Sequence, residues 1–341
     1  MFQTDFHIFL QSFENEYLTG FMRLITSLGY LEFFMVFLTV ILFVIDFKKG
    51  FILLMILFWT AGITLFLKEH FHLPRPFHVD NRVQFLDGKL RNDTAFDFSE
   101  MGAKAFWELL PVEVLDEVRK TKAIAYGFPS GHTSIAVALW GALILLFRKK
   151  WVAMISIAMM LLIPFSRMYL GVHFIADVLG GYAIGAIVLF LSWLIILRDK
   201  ELQPYLQKAR LPLGFRWRTV FLLLSPFVFI YPMTLSPAMM QLPGSMFGYG
   251  LSFCLLAYKG FPEIGGSWGQ KIGRMLVAIL LYLGINFAFN QGMSYIGRPD
   301  SMIINFLRFT IEGFIFLWVA VELNMKFGWF ERMQKRHLRS V

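Results

Sequence analysis

Long apolar stretches alternate with short polar ones along most of this chain. Runs at roughly 29–46, 50–67, 132–147, 151–165, 174–197, 218–235, 244–258, 274–290 and 301–323 approach the length of about 20 residues that a helix needs to cross the hydrocarbon core. The pattern predicts an all-α, polytopic membrane helix bundle of about nine transmembrane helices. Residues 1–28 differ: Asp5, Glu14 and Glu16 are mixed with Phe and Leu, as in an amphipathic helix lying on a membrane, and no cleavable signal peptide is expected there. Three regions follow from this reading: an amphipathic segment at 1–28, a core at 29–197, and a four-span extension at 198–341.

Composition agrees with the pattern. Of 341 residues, 57% are hydrophobic and 16% charged, which excludes an ordinary soluble domain. The formal net charge of +9 raises the question of nucleic acid, but the cations sit in short loops between apolar runs, so no nucleic-acid partner is expected. One set of loops collects Lys48, Lys49, Arg148, Lys149, Lys150, the 198–218 segment, Lys259, Lys271, Arg274, and a tail with Lys326, Arg332, Lys335, Arg336 and Arg339. The 69–131 segment on the other side has its basic residues outnumbered by acids. The positive-inside rule therefore puts that segment outside the cytoplasm and the C-terminus inside. The lone Cys254 lies in an apolar run and allows neither an intrachain disulfide nor a cysteine metal site.

Three short stretches carry the candidate chemistry, each where an apolar run meets a loop: Lys68–Pro76, Pro129–His132 and Ser166–Asp177. His173 and Asp177, four residues apart, are expected on one face at the start of a helix. A carboxylate so placed can hold the proton of one imidazole nitrogen and leave the other as a nucleophile. The same pair could also simply satisfy each other at the interface. Arg167 is expected on the loop side, free to reach an anion. Lys68 ends a span, where it could snorkel or serve as a point charge. Arg75, stiffened between Pro74 and Pro76, suits a two-oxygen grip. Ser130 and Gly131 open a helix whose free N–H groups bind anions, and His132 is placed to protonate a departing alkoxide. Pro-Ser-Gly alone is also an ordinary helix start.

Taken together, the stretches resemble the signature of the type 2 phosphatidic acid phosphatase superfamily, which includes lipid phosphate phosphatases, glucose-6-phosphatase and soluble vanadium haloperoxidases. Its pattern is Lys, six residues, Arg-Pro; then Pro-Ser-Gly-His; then Ser-Arg, five residues, His, three residues, Asp. Lys68, Arg75, Pro76, Pro129, Ser130, Gly131, His132, Ser166, Arg167, His173 and Asp177 match every fixed position. The resemblance spans roughly residues 29–197 and implies a two-step phosphoryl transfer. In it His173, oriented by Asp177, forms a phosphohistidine and His132 protonates the leaving group. Lys68, Arg75, Ser130, Gly131 and Arg167 bind the phosphate, with no metal and no cofactor.

The function expected is a membrane phosphatase acting on a phosphorylated lipid, or a lipid diphosphate, held in the bilayer. Its site would face the periplasm from a bacterial inner membrane, or the lumen from an endoplasmic reticulum membrane. Alternatives are a phosphotransferase that passes the group to a lipid or sugar, a glucose-6-phosphatase-like sugar phosphatase, and a lipid transporter. His70, His72, His78 and Asp80 match no common metal-ligand spacing and are read as loop lining. Asn92-Asp93-Thr94 is a glycosylation triplet, Arg298-Pro299 an outward loop cation, and Gly180, Gly181 and Gly185 allow close helix packing.

Overall fold

The computed structural model describes residues 1–88, 96, 98–120, 126–198, 217–230, 237–295 and 301–332. The glycosylation triplet, Arg298-Pro299, the basic loop from 199 to 216 and the cations beyond residue 332 lie outside the described residues. In chain order the helices are α1 (Asp5–Gln11), α2 (Glu16–Ser27), α3 (Leu31–Val40), α4 (Phe47–Phe71), α5 (Pro76–Val79), α6 (Val112–Lys120), α7 (Gly131–Phe147), α8 (Lys150–Tyr169) and α9 (Ile175–Ser192). They continue with α10 (Trp217–Leu224), α11 (Gln241–Lys259), α12 (Trp268–Tyr295) and α13 (Met302–Lys326). The described strand is one two-residue antiparallel pair, Pro262–Glu263 with Glu331–Arg332. The helical membrane bundle read from hydropathy is what the chain forms.

Among the described residues five helices are long and apolar enough to cross a bilayer: α4 with its continuation to Val79, α8, α9 through Ile195, α12 and α13. A sixth results if the bent pair of α2 with α3 and its continuation to Ile45 counts as one span. The expected nine are therefore not confirmed. The 132–147 run is left out of this count by its length: α7 has 17 residues, buried almost continuously from Thr133 to Leu143 and packed against α8 and α9. On α12 the opposite holds, because Leu276, Leu280, Leu283 and Phe287 are exposed at helical spacing and form an outward apolar stripe suited to acyl chains.

The chain forms two compact units, one of residues 1–34 and 59–194, the other of residues 35–58 and 195–341. In the second, α11 packs along α13, where the Ser252 hydroxyl donates to the Phe314 carbonyl at 2.7 Å. Two charges within α13 are paired: Arg308 meets Glu312 at 2.7 Å, and also Asn290 of α12 at 2.9 Å. Pairing is what tolerates an ionised side chain at membrane depth.

The first unit contains the three motif stretches. Gly181 and Gly185 let α9 approach α7: a Cβ at Gly185 would lie 2.6 Å from the Val137 Cβ, and one at Gly181 2.7 Å from the Ser130 carbonyl oxygen. Two apolar clusters then close on the loop before α9. One gathers Met22, Tyr169, Leu170 and Val172; the other gathers Val79, Val114, Val118 and Phe174. His173 lies between Val172 and Phe174, so its backbone is gripped from both sides. A further tie comes from Asp80, buried beside α5. Burial alone would raise its pKa, but hydrogen bonds from Arg82 and Thr4 outweigh that and hold it at about 2. Replacing Gly185 by Leu should overpack the α7–α9 contact and cost about 1–3 kcal/mol, read as a lower thermal unfolding midpoint in detergent; an unchanged midpoint would refute the close-packing account.

Candidate active site

The α7–α9 contact brings the motif stretches together at one end of the first unit. Lys68 and Arg167 come from the last turns of α4 and α8, and Ser130 and Asp177 from the starts of α7 and α9. Antiparallel neighbours place such alternating ends side by side.

Local chemistry explains each position. Ser130 is the N-cap of α7, its Oγ accepting from the Thr133 N–H at 3.4 Å, and its own N–H donates to the Asp177 carbonyl at 2.9 Å. That last bond ties the second stretch to the third. Gly131 is the first residue of α7, among the helix-start N–H groups. Lys68 does not snorkel outward. Its ammonium donates to the carbonyls of Tyr126 at 2.7 Å and Gly127 at 2.9 Å, joining the first stretch to the second. Arg75 precedes α5, with its N–H donating to His78 Nδ1 at 3.2 Å and its guanidinium reaching the Val172 carbonyl at 2.8 Å.

His173 was expected on α9 itself, but α9 begins at Ile175 and His173 sits in the turn before it. Asp177 at the third helical position accepts the Phe174 N–H at 2.9 Å and the His173 Nδ1–H at 3.1 Å through the same oxygen, Oδ2. The pairing thus arises from the capping of the helix start, which needs acceptors, and not from a shared helical face. The other ring nitrogen, Nε2, lies 3.3 Å from Arg75 Nη1. Arginine is always a donor, so Nε2 carries a lone pair and Nδ1 carries the proton. Burial lowers the His173 pKa well below its ordinary value, and the charges of Arg75, Lys68 and Arg167 push it the same way. The ring is therefore neutral at pH 7, with its lone pair facing Arg75 among fixed cations.

Arg167 also departs from expectation. Helix α8 runs through Pro164 to Tyr169, so Arg167 lies in its last turn and is about 1% exposed. Its Nη1 donates to the Thr26 hydroxyl at 2.7 Å and meets Asp87 Oδ2 at 3.2 Å. His132, in the first turn of α7, packs edge-on against the Tyr30 ring at 4.7 Å.

Residues 49–201 match the family model described as the PAP2 superfamily. This segment belongs to that superfamily. The PAP2 segment contains every motif position named above. Among curated relatives, phosphatidylglycerophosphatase B of Bacillus subtilis is 37% identical over 76 residues, covering 20% of this chain and 37% of that protein. Undecaprenyl-diphosphatase of Sulfolobus acidocaldarius is 38% identical over 71 residues, 21% of this chain and 34% of that protein. Lipid A 4'-phosphatase of Porphyromonas gingivalis is 45% identical over 65 residues, 18% of this chain and 27% of that protein. The chain thus spans about a third of the length of these relatives. No solved structure is a significant match.

Four residues of the site carried no sequence signal: His7, Thr26, Tyr30 and Asp87. His7 Nε2 donates to the His173 carbonyl at 2.9 Å, bracing the turn from α1. The amphipathic pattern of residues 1–28 showed a helix on a surface and could not show that its inner face meets the PAP2 segment. The four residues weighed as a metal cluster have other neighbours: His70 packs on the Phe71 ring, His72 meets Glu69 at 3.8 Å, His78 the Arg75 backbone and Asp80 Arg82.

A neutral His173 has a direct consequence for pH. The unfolded histidine binds a proton near pH 6.5, whereas the native ring resists it, so native stability is retained above that pH and lost as pH falls. If His173 is the base that must be unprotonated, the acid limb of kcat/KM falls below pH 6.5. Arg75→Gln removes the largest charge effect and should move that limb upward; an unmoved limb would assign it to another group.

Proposed function

We propose that this protein is a membrane phosphatase that removes the phosphate of a lipid phosphate or diphosphate through a phosphohistidine, at a site outside the cytoplasm. The observation that carries the reading is the state of His173: neutral, oriented by Asp177 through Nδ1, with its Nε2 lone pair presented among Lys68, Arg75 and Arg167. That is what an attack on an anionic phosphorus centre requires, since the cations attract the substrate without protonating the nucleophile.

In this mechanism Nε2 attacks phosphorus as the bond to the lipid oxygen breaks, and His132 in its protonated form gives that oxygen a proton. Water then attacks the phosphohistidine, giving its proton to His132 and releasing inorganic phosphate and free His173. Lys68, Arg75, Arg167, the Ser130 hydroxyl and the Gly131 N–H hold the phosphate oxygens and stabilise the charge that spreads over them in the transition state. These fixed cations supply the charge neutralisation for which other phosphoryl-transfer sites use magnesium. A site at the ends of membrane helices admits a lipid headgroup while its chains remain in the bilayer, and the relatives, among them phosphatases of lipid A and of phosphatidylglycerophosphate, support a lipid substrate. The positive-inside count supports a site on the extracytoplasmic side, which in a bacterial cell is the periplasmic face of the inner membrane.

Two measurements test this. Purified protein should release phosphate in EDTA from lipid phosphates or prenyl diphosphates in preference to glucose 6-phosphate. His173→Ala should abolish release, and Arg167→Ala should slow it by about 10²–10³. Release that needs an added divalent ion, or survives in H173A, would overturn the mechanism. Transfer of the phosphate to an added lipid without release would favour the phosphotransferase. For orientation, single cysteines at Lys120 and Lys149, both exposed, are placed in a Cys254→Ser background. An impermeant maleimide on intact cells should label position 120 and spare position 149; the reverse pattern inverts the assignment.

A further inference from the structure

The PAP2 match begins at residue 49, yet part of the site is built by the turn between α2 and α3, residues 28–30. Three acceptors converge on a single nitrogen of Arg167: Nη1 meets the Thr26 hydroxyl at 2.7 Å, the Tyr30 hydroxyl at 3.4 Å and Asp87 Oδ2 at 3.2 Å. Tyr30 closes the arrangement by donating its hydroxyl proton to Asp87 Oδ2 at 2.7 Å. One corner of the guanidinium is therefore tied down by protein. Nε, on the opposite edge, is buried and has no hydrogen-bond partner among the described residues. A buried N–H without an acceptor is costly, and the Nε–Nη2 edge is the pair of parallel donors that fits two oxygens of one phosphate. Anchoring Nη1 and leaving Nε open thus aims the arginine's two-donor edge at an anion.

The same turn also sets His132. The Tyr30 ring lies edge-on to the His132 imidazole, with centroids 4.7 Å apart and planes at 89°. The neighbouring residue is Gly29, where a Cβ would come within 2.6 Å of His132 Cδ2. The imidazole can occupy its place only because residue 29 has no side chain.

We propose that Tyr30 and Gly29 are positioning residues of the active site, with separate tasks. The Tyr30 hydroxyl, with Thr26 and Asp87, orients Arg167 for a two-oxygen grip on phosphate. The bare backbone at Gly29, with the Tyr30 ring, orients His132 to protonate the leaving group. This rests on the phosphatase reading of Arg167 and His132, and it adds an N-terminal turn outside the PAP2 segment to the catalytic unit.

The two tasks can be separated in the full-length protein. Tyr30→Phe keeps the ring and loses the hydroxyl, so KM and the inhibition constant of orthovanadate, a phosphate mimic, should each rise about tenfold, with kcat on a lipid phosphate changed less than about threefold. Gly29→Ala displaces the imidazole and spares the cations, so kcat on the lipid phosphate should fall by about 10² with vanadate inhibition unchanged. The loss should be much smaller on p-nitrophenyl phosphate, whose leaving group departs without a proton. Y30F acting on kcat alone, G29A acting equally on both substrates, or both variants weakening every parameter together would overturn the proposal. Unfolding midpoints are measured alongside; if Y30F fails to fold, Thr26→Val removes one acceptor and should give a smaller rise in the same two constants. Arg167→Ala and His132→Ala serve as references. If R167A leaves vanadate inhibition intact, or H132A leaves kcat intact, the phosphatase assignment of that residue has failed, an outcome distinct from failure of the positioning role.

Discussion

Lys68, Arg75 and Arg167 are brought together around one neutral imidazole in a buried, low-dielectric setting. Mutual repulsion among cations in such a place is large, and the rest of the first unit reads as the means of sustaining it. Lys68 is held by two backbone carbonyls, Arg75 by the Val172 carbonyl and the His173 ring, and Arg167 by a carboxylate and two hydroxyls. Asp87 meets Arg167, and Asp177 accepts the His173 Nδ1–H. A concentration of positive charge held by backbone and helix ends is preorganised for an anion, whose arrival would relieve the repulsion.

That constraint explains the way the motif stretches are joined. Lys68 is bonded to the backbone of residues 126 and 127, just before the second stretch, and Ser130 and Arg75 are bonded to the backbone of Asp177 and Val172 in the third. Backbone carbonyls are fixed in position by the helices that flank them, so the cations inherit the rigidity of the bundle. Close packing of α7 on α9 at Gly181 and Gly185 sets the register of those bonds, and the apolar clusters on either side of His173 keep its turn from shifting.

Residues 1–34 take part in this same unit. His7 braces the His173 carbonyl, and Thr26 and Tyr30 bond to Arg167. Their hydrophobic pattern betrayed only that one face is apolar. Which side chains of that face reach the PAP2 segment depends on how α1 and α2 dock, and no spacing within residues 1–30 encodes that.

The sequence alone determined the membrane class, the helical architecture and the identities of the motif residues, because hydropathy and fixed spacings within one helix or turn are local properties. Lys68, Arg75, Ser130, His132, Arg167, His173 and Asp177 could all be named from it. Tertiary structure decided how those residues meet: His173 in a turn before its helix, Arg167 within a helix, and Asp87 and Tyr30 as their companions from distant parts of the chain. It also decided that α7 is enclosed by α8 and α9. A buried charge must find its counter-charge wherever the fold delivers one, and that delivery depends on packing between helices far apart in sequence.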